Sequence, residues 1–199
     1  MRRKGWIGIT LLALWAVCGL GPVWAGVPTE RVKETTDKIL AIVSDPDLKG
    51  PAKEAQRRER IRRTVDELCD WDEMSRRSLG RHWAQRTEPE KKEFIHLFGQ
   101  LLERTYIDKV EGYSGEKVIY AGERVDADYA EVNVKIVTKT NTEIPVVYKM
   151  RTKDQKWWVY DIVVEGVSLV NNYRTQFSDI LAKSSFDGLM KKLKEKMSE

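Results

Sequence analysis

The chain has 199 residues, with 35 lysines and arginines against 31 aspartates and glutamates. That length holds one domain or at most two small ones, and the formal charge of +4 is too even for a dedicated nucleic-acid binder. Hydrophobic residues at 41% supply a real core, while two cysteines and two histidines leave almost nothing for a zinc or iron–sulfur site.

Residues 1–25 read as an export signal. Arg2, Arg3 and Lys4 precede an uncharged apolar run from Trp6 to about Leu20, and Val23-Trp24-Ala25 places small residues where a signal peptidase reads them. The expected cut follows Ala25. A membrane anchor is disfavoured because the run is short for a span of ~20 residues and Gly19, Gly21 and Pro22 weaken its end. A lipid anchor on Cys18 is disfavoured by Val17 before it. Removing the segment takes three basic side chains and no acidic one, leaving 32 against 31. It also leaves Cys69 alone, so residues 26–199 must hold together by their core, as a single domain.

Residues 28–43 carry Val32, Ile39, Leu40 and Val43 at helical spacing, and Ser44-Asp45-Pro46 stops them. A second helix runs from about Ala52 to Cys69. It is dense in arginine at 57, 58, 60, 62 and 63 and sparse in apolar contacts, mainly Ile61, Val65 and Leu68. Its basic face suits lipid head groups or an acidic partner; the plainer reading is a solvated face with pairs such as Glu59–Arg63. Asp70 can cap a third helix that carries Trp71, Met74 and Leu79 and ends at Gly80. Glu88-Pro89 opens a fourth that continues to about Val110. Its Phe94, Ile95, Leu97, Phe98, Leu101, Leu102 and Tyr106 fill about half the helix circumference, which implies two apolar surroundings. His96, Gln100 and Glu103 fall on the other side.

From Glu116 the period changes to two, with strands expected over 116–123, 128–139, 143–152 and 156–165. In the second, Ala130, Val132, Val134 and Ile136 alternate with Glu131, Asn133 and Lys135, the pattern of an antiparallel strand with one wet face. Short connections at 126–127, 140–142 and 153–155 imply sequential hairpins. Pro145 is expected at a bulge or a sheet edge. The last strand is apolar at both parities apart from Asp161, which suggests cover on both faces. Two closing helices carry the stripes Leu169–Val170–Tyr173–Phe177–Ile180–Leu181 and Phe186–Leu189–Met190–Leu193–Met197. The fold class is therefore α+β: a curved antiparallel four-stranded meander packed against several helices.

Catalytic signatures are missing. There is no phosphate-binding GxxxxGK[ST] loop, no GxSxG elbow and no HExxH, and His82 and His96 have no partner motif. Cys69 reads as a packing residue. Asp161 is either a structural carboxylate bonded to arginine or backbone N–H groups, or a general base in a cone-shaped cavity with a tyrosine, Tyr148 or Tyr160. What remains is excess apolar surface, which either fills a thick core or lines a cavity for an apolar ligand such as an acyl chain.

The stretch from Tyr160 to Phe177, YDIVVEGVSLVNNYRTQF, closely resembles the signature of the MlaC-like periplasmic phospholipid-transport proteins, also called toluene-tolerance auxiliary proteins. Phe94-x-x-x-Phe98-x-x-Leu101-Leu102-x-x-Thr105-Tyr106 is similar to that family's long helix, and Trp71-Asp72-x-Met74-Ser75 and Leu79-Gly80-x-x-Trp83 to the segment before it. The resemblance spans about Val27 to Lys196.

It implies a periplasmic carrier that moves phospholipid between an outer-membrane lipoprotein complex and an inner-membrane ABC transporter with an MCE-domain subunit, supporting outer-membrane lipid asymmetry. It also implies a nuclear-transport-factor-like cone with acyl chains held between sheet and helices, phospholipid as cargo, no cofactor, no nucleic acid and no enzymatic activity. The candidate lipid-contacting side chains are then Phe94, Phe98, Leu101, Leu102 and Tyr106 on the long helix; Val132, Val134, Tyr148, Trp158, Tyr160 and Ile162 on the strands; and Leu169, Tyr173 and Phe177 on the helix after them. Leu101 is expected on the cavity wall, where tryptophan would displace lipid without loss of stability. An enzyme on the same fold using Asp161, and an adaptor that binds only proteins, are the alternatives.

Overall fold

The structure, a computed structural model, describes residues 27–198. The expected signal segment, with Cys18 and the cut after Ala25, lies outside the described residues. Helix α1 spans Pro28–Ser44, opened by a proline in its first turn and ended before Pro46. Two short 3-10 turns lead into α2, Glu54–Asp66. Helix α3, Trp71–Leu79, is capped by Asp70, whose carboxylate accepts the Glu73 N–H at 3.1 Å, and it ends at Gly80 with φ of 54°. A 3-10 turn follows. Helix α4, Glu88–Glu111, starts in a reciprocal capping box between Thr87 and Glu90.

The sheet is a fully antiparallel meander in the order β1 (Lys117–Asp126), β2 (Tyr129–Val137), β3 (Glu143–Lys153), β4 (Lys156–Val164) and β5 (Val167–Ser168). Four strands are expected from the pattern; the described residues form five. Glu165 and Gly166 both take positive φ, the signature of a tight hairpin, so the chain turns back and pairs for two residues before entering a helix. Asp154 and Gln155 do the same between β3 and β4.

Alternation in β2 is as the pattern indicates: Ala130, Val132 and Val134 are buried. In β4 the two-sided apolar pattern has a different cause from double cover. Lys149 of β3 pairs with Asp161 and Met150 with Val159, so Tyr160 is an extra residue, a β-bulge. The bulge reverses the parity. Trp157 and Val159 face inward below it, and Ile162 faces inward above it. Pro145 is neither in a bulge nor on an edge strand. It stands within β3 opposite Lys135, one residue past the last β3–β4 pair, with its carbonyl accepting the Glu165 N–H at 2.9 Å. At that end its missing N–H costs the ladder little.

Helices α5 (Leu169–Leu181) and α6 (Phe186–Ser198) close the chain. The helices lie on the inner face: α1 across β1 and β2, α3 and α5 beside β4, and α4 against α3 and α6. The Leu68–Asp70 linker runs along the β4 edge, exchanging backbone bonds with Val159 at 2.8 and 2.9 Å, and so covers it.

Candidate functional site

Helix α4 has two apolar stripes one residue apart. Phe94, Phe98 and Leu101 form the first. It packs into α5 and α6, where Phe94, Phe98, Tyr173 and Phe177 stack with ring centroids 5.4–5.8 Å apart. Ile95, Gly99, Leu102 and Tyr106, at spacings of four, three and four, form the second. This stripe faces a cavity of about 770 Å³, within the range of ligand sites.

The opposite wall is supplied by Thr35, Thr36 and Ile39 of α1, Ile61 and Val65 of α2, and Leu68, Cys69, Trp71 and Met74 around the start of α3. Tyr148 and Ile162 close it from the sheet and Leu169 from α5. The charged side chains, Arg62, Asp66, Lys92, His96 and Glu103, come from α2 and α4 alone, with Gln100 among them. Arg62, Lys92 and His96 are exposed, so they mark the rim. Gly99 widens the space, since a Cβ built there would meet nothing within 4 Å.

The walls disfavour charge. Burial pushes the Tyr148 phenol and the Cys69 thiol up to about 12, so Cys69 is an inert packing group. Burial also raises the Glu103 carboxyl, against the pull of Arg62. The Tyr148 hydroxyl bonds to no group among the described residues. The Thr35 and Thr36 hydroxyls on the same walls are spent on the Arg31 and Val32 carbonyls of their own helix. Among the described residues, no group of three or more His, Cys, Asp or Glu is placed to hold a metal ion, and no helix is long and apolar enough to cross a membrane.

The structure sorts the side chains nominated from sequence. Leu102, Tyr106, Tyr148, Ile162 and Leu169 line the cavity. Phe94, Phe98, Leu101, Tyr173 and Phe177 lie in the packed cluster beyond it, and Val132 and Val134 in the core against the sheet. Trp158 and Tyr160 stand on the other face of the sheet. The Trp158 indole donates to the Lys153 carbonyl at 3.2 Å, and Tyr160 lies under the Arg77 guanidinium at 4.1 Å. Both follow from ordinary alternation with the inward Trp157 and Val159, and the bulge is the reason Ile162 does not join them.

Sequence reasoning did not nominate the α1–α3 wall, where apolar residues are too sparse to form a stripe. It also passed over Gly99, whose place between Ile95 and Leu102 was the available signal. Asp161 takes the structural role. It is buried and accepts the Ser168 hydroxyl at 2.6 Å and the Val170 N–H at 3.1 Å, fixing the start of α5. The arginine face of α2 is largely paired. Arg57 and Arg58 hold Glu111 at 2.6 and 3.0 Å, and Arg62 and Arg63 share Glu59.

Against this geometry stand three comparisons. A family model described as MlaC protein matches residues 33–195. An intermembrane phospholipid transport system binding protein MlaC from Haemophilus influenzae is 27% identical over 126 residues, 61% of this chain and 59% of that protein. The match thus spans under two thirds of that relative's length. Toluene tolerance protein ttg2D from Pseudomonas putida is 23% identical over 184 residues, 89% of this chain and 83% of that one. Among solved structures, a phospholipid-binding protein from Ralstonia solanacearum in complex with a phospholipid superposes with a TM-score of 0.78 and 26% identity, covering 87% of this chain and 98% of that one.

Proposed function

Because the chain belongs to the MlaC family, we propose that it is a periplasmic phospholipid carrier, exported by residues 1–25 and cut after Ala25. The observation that carries this reading is the cavity of about 770 Å³, with mostly apolar walls and charged side chains only from α2 and α4. An acyl chain left in water costs ~0.8 kcal/mol per CH₂, so roughly 12 kcal/mol for sixteen carbons. A wall of Ile61, Val65, Leu102, Ile107 and Ile162 offsets that cost to about the level of a bilayer, which makes transfer nearly neutral. The head group stays at the rim, where Arg62, Lys92 and His96 reach a phosphate without burying it. Chain contact is assigned to Leu102, Tyr106, Tyr148, Ile162 and Leu169, joined by the α1–α3 wall.

No nucleotide loop exists in the sequence, so direction comes from partners: a lipoprotein complex at the outer membrane and an MCE-domain ABC transporter at the inner one. The space between curved sheet and helices is the counterpart of the cone in nuclear-transport-factor-like folds. Catalysis is not part of this reading, since both oxygens of Asp161 are engaged in structure.

The test is mass spectrometry of protein exported from the full chain. Intact mass should begin at Gly26, and an organic extract should yield intact phospholipid in stoichiometric amount. A lipid-free protein that also fails to take up phospholipid from vesicles would sink the carrier reading.

A further inference from the structure

A second cavity, of about 600 Å³, opens on the far side of β4 and shares no lining residue with the first. Lys149 and Tyr160 point into it, on the face opposite Tyr148 and, across the bulge, Ile162, so the sheet with α3 and α5 at its β4 edge separates the two spaces. Its lining brings together Arg76, Arg77, Arg81, Lys149 and Arg174, from α3, the turn after it, β3 and α5. The one carboxylate among them, Asp161, has both oxygens engaged by Ser168 and Val170.

Compensation from outside is incomplete. Arg76 and Arg77 lean on Glu73 at 2.6 Å, but Glu73 and Asp70 also face Arg151, and Lys153 approaches Asp70 at 3.8 Å. Two carboxylates therefore meet four cations. Lys149 reaches Glu131 only at 3.9 Å, Arg81 makes one contact of 3.5 Å with His82, and Arg174 has no ion pair among the described residues. Two of the cations are seated. The Arg77 guanidinium lies 4.1 Å over the Tyr160 ring. Arg174 rests on Gly80, whose absent Cβ would come within 3.1 Å of its Nε. In the stretch Asn172–Phe177, Tyr173 and Phe177 are accounted for by the aromatic cluster; Arg174 is not.

Like charges gathered in a recess repel until an anion joins them. The cations stand on four elements around a space far larger than one phosphate, and a planar bilayer does not reach into a recess. We infer that this cleft docks an acidic segment of a partner protein, with successive carboxylates meeting Arg81, Arg174 and Lys149. The inference does not depend on the lipid reading.

The probe is fluorescein-labelled hexaglutamate, with hexaglutamine as the neutral control, followed by anisotropy on the folded protein. Hexaglutamate should bind, weaken as salt rises, and lose affinity by about tenfold or more in the Arg81→Glu/Arg174→Glu double variant. The milder Lys149→Gln/Arg174→Gln pair should lose less. Melting temperature of both variants should stay near that of the parent, which reports an intact fold whether or not lipid is bound. The inference is overturned if hexaglutamine binds equally, or if the charge reversals leave hexaglutamate binding unchanged. It is equally overturned if the cleft ignores the peptide and instead binds phosphatidylglycerol–phosphatidylcholine vesicles or inorganic phosphate through the same side chains.

Discussion

Glu73 is the most strongly perturbed carboxylate described here. Its side chain is 5% exposed, and Arg76 chiefly, with Arg77, holds its carboxyl down at about 2 against the opposing effect of burial. A folded-state value depressed below the unfolded one stabilises the protein above the unfolded pKa. That stabilisation is lost as pH falls from about 4.5 toward 2. With Arg76 half exposed, the contribution at neutral pH is on the order of 2 kcal/mol. Urea unfolding at pH 7 and at pH 3 should show a loss of that order, and Glu73→Gln should flatten it. An acid loss of equal size in the variant would assign the effect to other carboxylates. Asp161 was legible as a structural carboxylate because a lone acid among apolar residues needs partners. Glu73 was not, because its arginines sit three and four residues on in an ordinary-looking helix.

At the scale of elements, α4 separates core from cavity. Read from sequence, its broad apolar arc implies two surroundings but not which residues face which. The structure puts Leu101 in the packed cluster and Gly99 on the cavity wall. Leu101→Trp should therefore overpack and lower stability by ~1–3 kcal/mol, contrary to what the sequence alone suggests. Gly99→Leu places its side chain in open space and removes a helical glycine, worth ~0.5–1 kcal/mol. Melting temperature should hold or rise while lipid per protein drops sharply. Thermal melts of delipidated protein, paired with lipid extraction, check both variants, and lipid content unchanged by Gly99→Leu would misplace the cavity. The strands show the same limit. Alternation made β2 legible, whereas the β4 bulge and the two-residue β5 leave no compositional mark. Both arise from hairpin twist and from what lies across the strand.

For the molecule as a whole, the question is how the cavity exchanges its contents. Helix α2 is fastened to the far end of α4 where Arg57 and Arg58 grip Glu111 and Arg58 reaches Asp108 at 3.0 Å; elsewhere the cavity lies between them. Arg57 and Glu111 are 17% and 12% exposed, so breaking the pair costs about 1–3 kcal/mol. Glu111→Gln should speed transfer of a fluorescent phospholipid to acceptor vesicles several-fold, with a modest fall in stability. Transfer at the parent rate would place the opening elsewhere.

The junction at Ser168 bears on that opening. Ser168 is at once the last residue of the sheet and the N-cap of α5, its hydroxyl accepting from Asn171 and donating to Asp161. No linker intervenes, so Leu169 is bolted to the strand beside it. The cavity is thus a vice with one fixed jaw, made of sheet and α5. Helix α1 is tied to the same jaw, since the Thr29 N–H and hydroxyl donate to Glu123 of β1 at 2.9 and 2.6 Å, so any change in span falls to α2.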